Sequence, residues 1–301
     1  MHEHDSDRLA ERFEAHRGQL RAVAYRMLGS PTEADDAVQE AWLRLSRTGP
    51  GGIDDLESWL RTVVARLCLD MLRTRTSRRE EPLDGPLTER TSGGGPGAEP
   101  EDEAVLVESV GRALLVVLDR LKPAERVAFV LHDLFAMPFE EIAPIVDRTP
   151  VAAKKLASRA RQRVRGGDAV PRAERAGPAE QRRVVDAFLA AARSGDLGAL
   201  LAVLAPDVVR HADPAVLPAG RAAVARGADV VARETLVFGR RSRLAAPALV
   251  NGAVGVVVAP HGRLLLALAI TVEGGRVAAY DVIADPERLR RLDLAVLDGV
   301  Y

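Results

Sequence analysis

The chain has 301 residues, in which 42 Lys and Arg face 43 Asp and Glu for a formal net charge of −1. That length exceeds one typical domain, and a 47% hydrophobic content suffices for ordinary cores, which argues against a disordered chain. The single cysteine, Cys68, excludes an intramolecular disulfide, and inside Leu67-Cys68-Leu69 it reads as a small buried hydrophobe. No signal peptide and no apolar run of membrane-spanning length is evident, so the expected location is the cytoplasm. Phosphate-cradling Gly loops and clustered Cys/His spacings are missing too, so no cofactor, no metal and no catalytic residue is expected.

Taken in chain order, the first block spans residues 8–79. Leu9, Phe13, Leu20, Val23, Ala24, Met27 and Leu28 recur at helical spacing before Gly29. Ser30-Pro31-Thr32-Glu33 is a capping box with Pro at the first helical position. The helix it opens carries Ala34, Val38, Ala41, Trp42 and Leu45 on one face, with Asp35, Asp36, Gln39, Glu40 and Arg44 elsewhere. A loop, Thr48 to Asp55, precedes a helix from about Leu56 to Arg75. Its core stripe is Trp59, Leu60, Val63, Val64, Leu67, Met71 and Leu72, and Thr62, Arg66, Asp70 and Arg73 line another face. Residues 80–103 are rich in Pro, Gly, Glu and Asp and read as a flexible acidic linker.

The second block, 104–165, has three helical segments. Lys122-Pro123-Ala124-Glu125 opens one with Val127, Val130 and Leu131 apolar, and Pro138 opens a short one with Phe139, Ile142, Ala143 and Val146 inward. Asp147-Arg148 makes a tight turn, where Gly would fit a left-handed residue better. Thr149 then caps a helix that starts at Pro150. Ala153, Leu156, Ala157, Ala160 and Val164 form its apolar face. Lys154, Lys155, Ser158 and Arg159 stand opposite, and no acidic residue occurs from Arg148 to Arg165. A basic run on its own is usually a solvated helix face. Together with the preceding helices it reads as a helix-turn-helix whose last helix enters the major groove of duplex DNA.

A second break, 166–178, leads to a third block, 179–301. Ala179 to Arg193 is an amphipathic helix, and another is expected over about Gly220 to Thr235. Strand-like runs follow at Ser242–Val250, Val254–Ala259, Arg263–Val272 and Val277–Ala284, with hairpin turns at Asn251-Gly252 and Gly274-Gly275. Helices followed by an antiparallel sheet imply an α+β layer.

Asp35-Asp36-Ala37-Val38-Gln39-Glu40-Ala41-Trp42-Leu43-Arg44 resembles the region-two signature of bacterial extracytoplasmic-function sigma factors. Trp59-Leu60-Arg61-Thr62-Val63-Val64-Ala65-Arg66 is similar to the segment that follows it in that family, and Phe139-Glu140-Glu141-Ile142-Ala143 with the helix after Pro150 resembles region four. Order, spacing and linker agree over roughly residues 8–165. The resemblance implies that Asp35, Asp36, Gln39 and Glu40 dock on the β′ clamp of RNA polymerase core, with Trp42 in the core, and that region four meets the β flap. It implies that Arg61, Thr62, Arg66 and Arg73 hold the melted −10 strand of promoter DNA, a task that needs a basic groove and room for an unstacked base. Trp59 is either a stacking platform or part of the apolar stripe, and its place in the stripe favours packing. Lys154, Lys155, Ser158 and Arg159 would read the −35 element. The acidic linker is either the family's connector through the RNA exit path or a solvated spacer.

The third block looks like the SnoaL-like cone shared with nuclear transport factor two and ketosteroid isomerase. A subset of these sigma factors carries such a cone as a C-terminal regulatory domain. The fold class is therefore multidomain: a region-two helical bundle and a region-four helix-turn-helix, both all-α, followed by an α+β cone. Cones of this type enclose a pocket, for which His211 and Asp213 are the candidate polar groups, with His261, Tyr280 and Asp281 also available and an unknown small ligand as occupant. The subset's glycine-rich Asp motif is replaced here by Asp213-Pro214-Ala215-Val216, and its Trp-containing linker motif by Pro82-Leu83-Asp84-Gly85-Pro86. Two other readings share these features: a free-standing helix-turn-helix regulator sensing a ligand through the cone, and a cone-domain isomerase or cyclase.

Overall fold

The computed structural model describes residues 2–48, 53–80, 111–166, 177–217, 221–237 and 244–297. Most of the acidic linker, the tip of the Thr48–Asp55 loop and most of the 166–178 break lie outside the described residues. The chain divides into two units, one built from residues up to 80 with 118–161, the other from 111–117 with 162 onward.

In the first unit, α1 (His2–Leu28), α2 (Pro31–Thr48) and α3 (Leu56–Glu80) pack on one another. The expected apolar stripes supply the core: Phe13, Leu20, Met27, Val38, Leu45, Leu60 and Val64 are all buried. Gly29 ends α1 with φ 74°, and its N–H donates to the Tyr25 carbonyl at 2.7 Å, the left-handed stop that glycine makes without strain. Ser30 Oγ accepts from the Glu33 N–H at 3.4 Å, while the Glu33 carboxylate pairs with Arg75 of α3 and so ties two helices together. Asp55 Oδ1 caps α3 by accepting from the Glu57 N–H at 3.0 Å. Cys68 is buried as expected, and burial pushes its thiol up to about 12, which leaves it inert.

A short helix, α4 (Arg112–Asp119), precedes α5 (Pro123–Phe129), which packs on α3. The helix expected to run evenly through Val130 and Leu131 instead widens into a π turn, Val130–Leu134. His132 occupies this widened turn, with Nδ1 3.0 Å from the Met137 carbonyl oxygen and its ring stacked on Phe139 at 3.9 Å. The turn after α6 (Phe139–Ile142) places Asp147 at φ 56°, a left-handed residue where Asp is tolerated though Gly is cheaper. Thr149 Oγ1 then accepts from the Ala152 N–H at 3.3 Å and starts α7 (Pro150–Arg165).

In the second unit, α8 (Pro178–Ser194) and α9 (Leu197–Val203) precede a seven-stranded sheet of order β2-β1-β6-β5-β4-β3-β7. Its strands are β1 (Leu204–Ala212), β2 (Val224–Arg226), β3 (Ala245–Val250), β4 (Ala253–Val258), β5 (Leu266–Glu273), β6 (Arg276–Ile283) and β7 (Leu294–Ala295). Among the described residues the β1–β6 pair is parallel and the other strand pairs are antiparallel. Asn251-Gly252 and Gly274-Gly275 all have positive φ, the geometry of the mirror-image turns that fit twisted hairpins. Val185, Phe188, Leu189 and Ala192 of α8 pack against β3–β6, and the buried Gln181 accepts from the Val254 N–H at 3.1 Å.

The helix expected from Gly220 begins only at Ala228, as α10 (Ala228–Val237). The residues before it form β2, paired antiparallel to β1 through Val209↔Arg226 and His211↔Val224, and Gly227 at φ 88° separates strand from helix. Pairing with β1 supplies backbone hydrogen bonds that the local apolar periodicity does not foresee. A further turn of helix, α11 (Pro286–Arg291), leads to β7.

Candidate functional site

Basic charge is concentrated on α7, which carries Lys154, Lys155, Arg159, Arg161, Arg163 and Arg165. Ala153, Ala157 and Ala160 are fully buried, so the helix seats closely and turns Lys154, Lys155, Ser158 and Arg159 to solvent. Lys154 with Ser158 and Lys155 with Arg159 each sit one turn apart, which makes two adjacent polar rows. Arg161 is withdrawn from this surface: its Nε donates to Asp133 Oδ1 at 2.7 Å.

On α2 the four expected acidic and amide positions separate into two pairs. Asp36 and Gln39 are exposed, and their side chains make no hydrogen bond to a described residue. Asp35 takes both Nε and Nη2 of Arg21, at 2.7 and 3.2 Å, and Glu40 pairs with Arg44 at 3.1 Å. Trp42 is half-buried with its ring tilted against Phe13 at 5.1 Å, so it belongs to the packing.

Along α3, Arg61 is half-buried beside Glu57 at 3.5 Å and Arg73 is exposed beside Asp70 at 3.7 Å. Thr62 and Trp59 are half-buried. Arg66 is exposed and its Nη2 donates to the Pro144 carbonyl at 3.4 Å, while Ser58 Oγ donates to Glu141 Oε2 at 3.3 Å. The face expected to meet a single strand therefore touches the segment around α6 within the same unit.

The second unit has a partly open cavity of about 110 Å³ between α8, α10 and the sheet. Most of its wall is apolar, from Phe188 and Leu189 to Val256, Leu268 and Val282. Its polar groups are Arg210, Glu234, Thr235 and Tyr280. Arg210 pairs with Glu234 and also donates to the Ala222 and Ala223 carbonyls, and Arg221 holds the other Glu234 oxygen at 3.0 Å. Burial works to raise the Glu234 carboxyl, but the two guanidiniums outweigh it and hold the group below the usual carboxylate range. Tyr280 Oη is 2.9 Å from Thr235 Oγ1, and burial pushes the phenol above its ordinary value.

His211 and Asp213 are not the polar groups of this cavity. Strand alternation on β1 sends Arg210 and Ala212 inward and leaves His211 exposed. Asp213 is buried in a structural role: Oδ2 accepts from the N–H groups of Ala284 and Asp285, both at 2.9 Å, and Oδ1 pairs with Arg288. Asp281 is also outside the lining, whereas Tyr280 is within it, and the side chain of His261 lies outside the described residues. Arg210, Glu234 and Thr235 were not foreseen. An Arg in register with the inward residues Val208 and Ala212 was the available signal. Among the described residues, no group of three His, Cys, Asp or Glu side chains could hold a metal ion, and no helix is long and apolar enough to cross a membrane.

Comparison with known proteins identifies the family. Residues 12–78 match the Sigma-70 region 2 family and residues 111–164 the Sigma-70, region 4 family. The probable ECF RNA polymerase sigma factor SigI of Mycobacterium tuberculosis is 36% identical over 290 residues, spanning 96% of this chain and 97% of that one. The chain belongs to the ECF RNA polymerase sigma factors. ECF RNA polymerase sigma factor SigJ of M. tuberculosis is 39% identical to this sigma factor over 92% of its chain and 91% of the relative. The crystal structure of M. tuberculosis SigJ aligns with 93% of this sigma factor and 98% of that chain, at 34% identity and a TM-score of 0.45. In this sigma factor, Asp36 and Gln39 lie inside the region 2 match, and the basic rows of α7 lie inside the region 4 match.

Proposed function

We propose that this sigma factor directs bacterial RNA polymerase core to specific promoters and that its α+β, SnoaL-like unit regulates that activity. The observation that carries the reading is the acid-free pair of solvent-facing rows on α7, inside a chain similar to sigma factors from end to end. Lys154, Lys155, Ser158 and Arg159 contact the −35 element as duplex. Arg61, Thr62, Arg66 and Arg73 contact the melted −10 strand. Asp35, Asp36, Gln39 and Glu40 form the surface for the β′ clamp, with Asp36 and Gln39 as its uncommitted groups, and region four meets the β flap.

Two weak DNA-binding modules suffice because polymerase holds both, which makes the second contact intramolecular. The blocks that serve these tasks are residues 8–79 and 104–165, joined by the acidic linker, with 179–301 as regulator after the 166–178 break. The protein acts in the cytoplasm, where its polymerase is, and performs no catalysis of its own.

The test is a pull-down and a run-off assay. Core polymerase retains the full chain, and the complex initiates at a defined promoter where core alone does not. Failure of core polymerase to retain the chain overturns the reading. A chain ending near Arg165 that transcribes as the full chain does, over a range of effector and salt conditions, overturns the regulatory assignment alone.

A further inference from the structure

We propose that the cavity of the α+β unit binds a small, neutral, largely apolar molecule carrying one hydroxyl group, of the size of a substituted phenol. The site rests on its own geometry, and only its consequence for transcription rests on the regulatory reading above.

The walls explain the apolar part. Phe188, Leu189, Val256, Val258, Leu266 and Leu268 surround a space that three alanines, Ala192, Ala212 and Ala245, leave open. Larger side chains there would close the void, and close packing is the rule in a core of this kind. A mostly apolar cavity of this kind accepts apolar ligands readily.

The polar end explains the remainder. Both Glu234 oxygens are held by arginines, and the terminal nitrogens of Arg210 are taken by Glu234 and two carbonyls. Glu234 therefore offers no free base to a reaction, and the Arg210 guanidinium is already paired with it. The Tyr280 hydroxyl is different. Thr235 Oγ1 donates to the Val231 carbonyl at 2.8 Å, so in the 2.9 Å contact between the hydroxyls Tyr280 donates and Thr235 accepts. The lone pairs of Tyr280 Oη remain, and they favour a ligand that donates one hydrogen bond. A hydroxyl on an apolar frame meets that requirement, whereas an ether or a carboxylate does not.

The experiment titrates the full-length protein with 4-ethylphenol and with ethylbenzene in a calorimeter. The expected result is saturable one-to-one binding of both, with 4-ethylphenol tighter by about fivefold, the worth of one hydrogen bond. Tyr280→Phe should reduce 4-ethylphenol to the affinity of ethylbenzene and leave ethylbenzene unchanged. Should that variant not fold, Ala192→Leu serves instead: it fills the space and should abolish binding of both probes. Absence of binding at millimolar probe, or binding that survives Ala192→Leu, overturns the site. Equal affinity for the two probes in the unaltered protein overturns the hydroxyl requirement. A parallel run-off assay with core polymerase separates the two readings, since binding without any change in transcription defeats regulation and leaves the site standing.

Discussion

The helical unit and the α+β unit dispose of most of their polar groups in opposite ways, Glu125 and Arg126 being buried exceptions in the helical unit. In the helical unit the groups with chemistry to offer are outside: Lys154, Lys155 and Arg159 on α7, Asp36 and Gln39 on α2, all exposed over a core of alanine, leucine and valine. In the α+β unit the distinctive polar groups are inside, with Arg210, Asp213 and Tyr280 buried and Glu234 nearly so. A solvated charge is cheap to keep and free to meet a partner, while a buried one must be matched where it stands. The first unit is thus built to touch large charged molecules. The second surrounds a small, partly open space.

Substitutions of charged groups should therefore affect stability in the α+β unit and macromolecular binding in the helical unit. The largest stability effect is expected from Arg210→Met, which removes the buried partner of Glu234. With Arg221 still in place, the α+β unit should lose about 3 kcal/mol in denaturant unfolding, near the lower end for a broken buried pair. An unchanged midpoint would show that the inward pair is not structural. The triple substitution Lys154→Ala, Lys155→Ala, Arg159→Ala should leave unfolding alone yet weaken promoter binding by the polymerase complex about 10–100-fold. The salt dependence of binding should become shallower by about 3 in log–log slope if all three contact phosphates.

A pH-restricted effect should come from Asp213. Burial works to raise its carboxyl, but the N–H groups of Asp285 and Ala284 and the Arg288 guanidinium together hold it below the usual range. A depressed native value means that its contribution is complete above the unfolded carboxylate value of about 3.9 and is lost as pH falls through the native value. Asp213→Asn should therefore cost stability at neutral pH and flatten the acid limb of the unfolding curve. An acid limb as steep as in the parent protein would place the acid sensitivity elsewhere. The smallest structural effect belongs to Asp36→Ala with Gln39→Ala, under about 0.5 kcal/mol, although retention by core polymerase should fall. If it does not fall, the exposed pair is not the docking surface.

Much of the helical unit could be read from residue types alone. Gly29, the Ser30 cap and Thr149-Pro150 fix helix ends by local backbone chemistry, which is why those boundaries agree with the structure. Asn251-Gly252 and Gly274-Gly275 set their hairpins for the same reason. Where a neighbour distant in sequence decided the outcome, the reading failed. β2 exists because β1 offers it a partner, and the π turn at Val130–Leu134 accompanies the His132 contacts with Met137 and Phe139.

The candidate surfaces divide in the same manner. That α7 carries its basic residues opposite an alanine face follows from the 3.6-residue period, and no tertiary contact is needed to see it. That Asp35 and Glu40 are committed to Arg21 and Arg44 while Asp36 and Gln39 are not depends, for Asp35, on α1 lying beside α2. The inward polar set of the α+β unit depends on tertiary structure altogether. A period-two strand has two faces, and only the packing of α8 and α10 on one of them makes Arg210 interior and His211 exterior. Local residue chemistry set the helix ends at Gly29, Ser30 and Thr149, the two hairpin turns and the basic face of α7, because each is settled within a few residues. The tertiary structure alone decided which polar groups the α+β unit encloses, because burial is a property of what lies opposite.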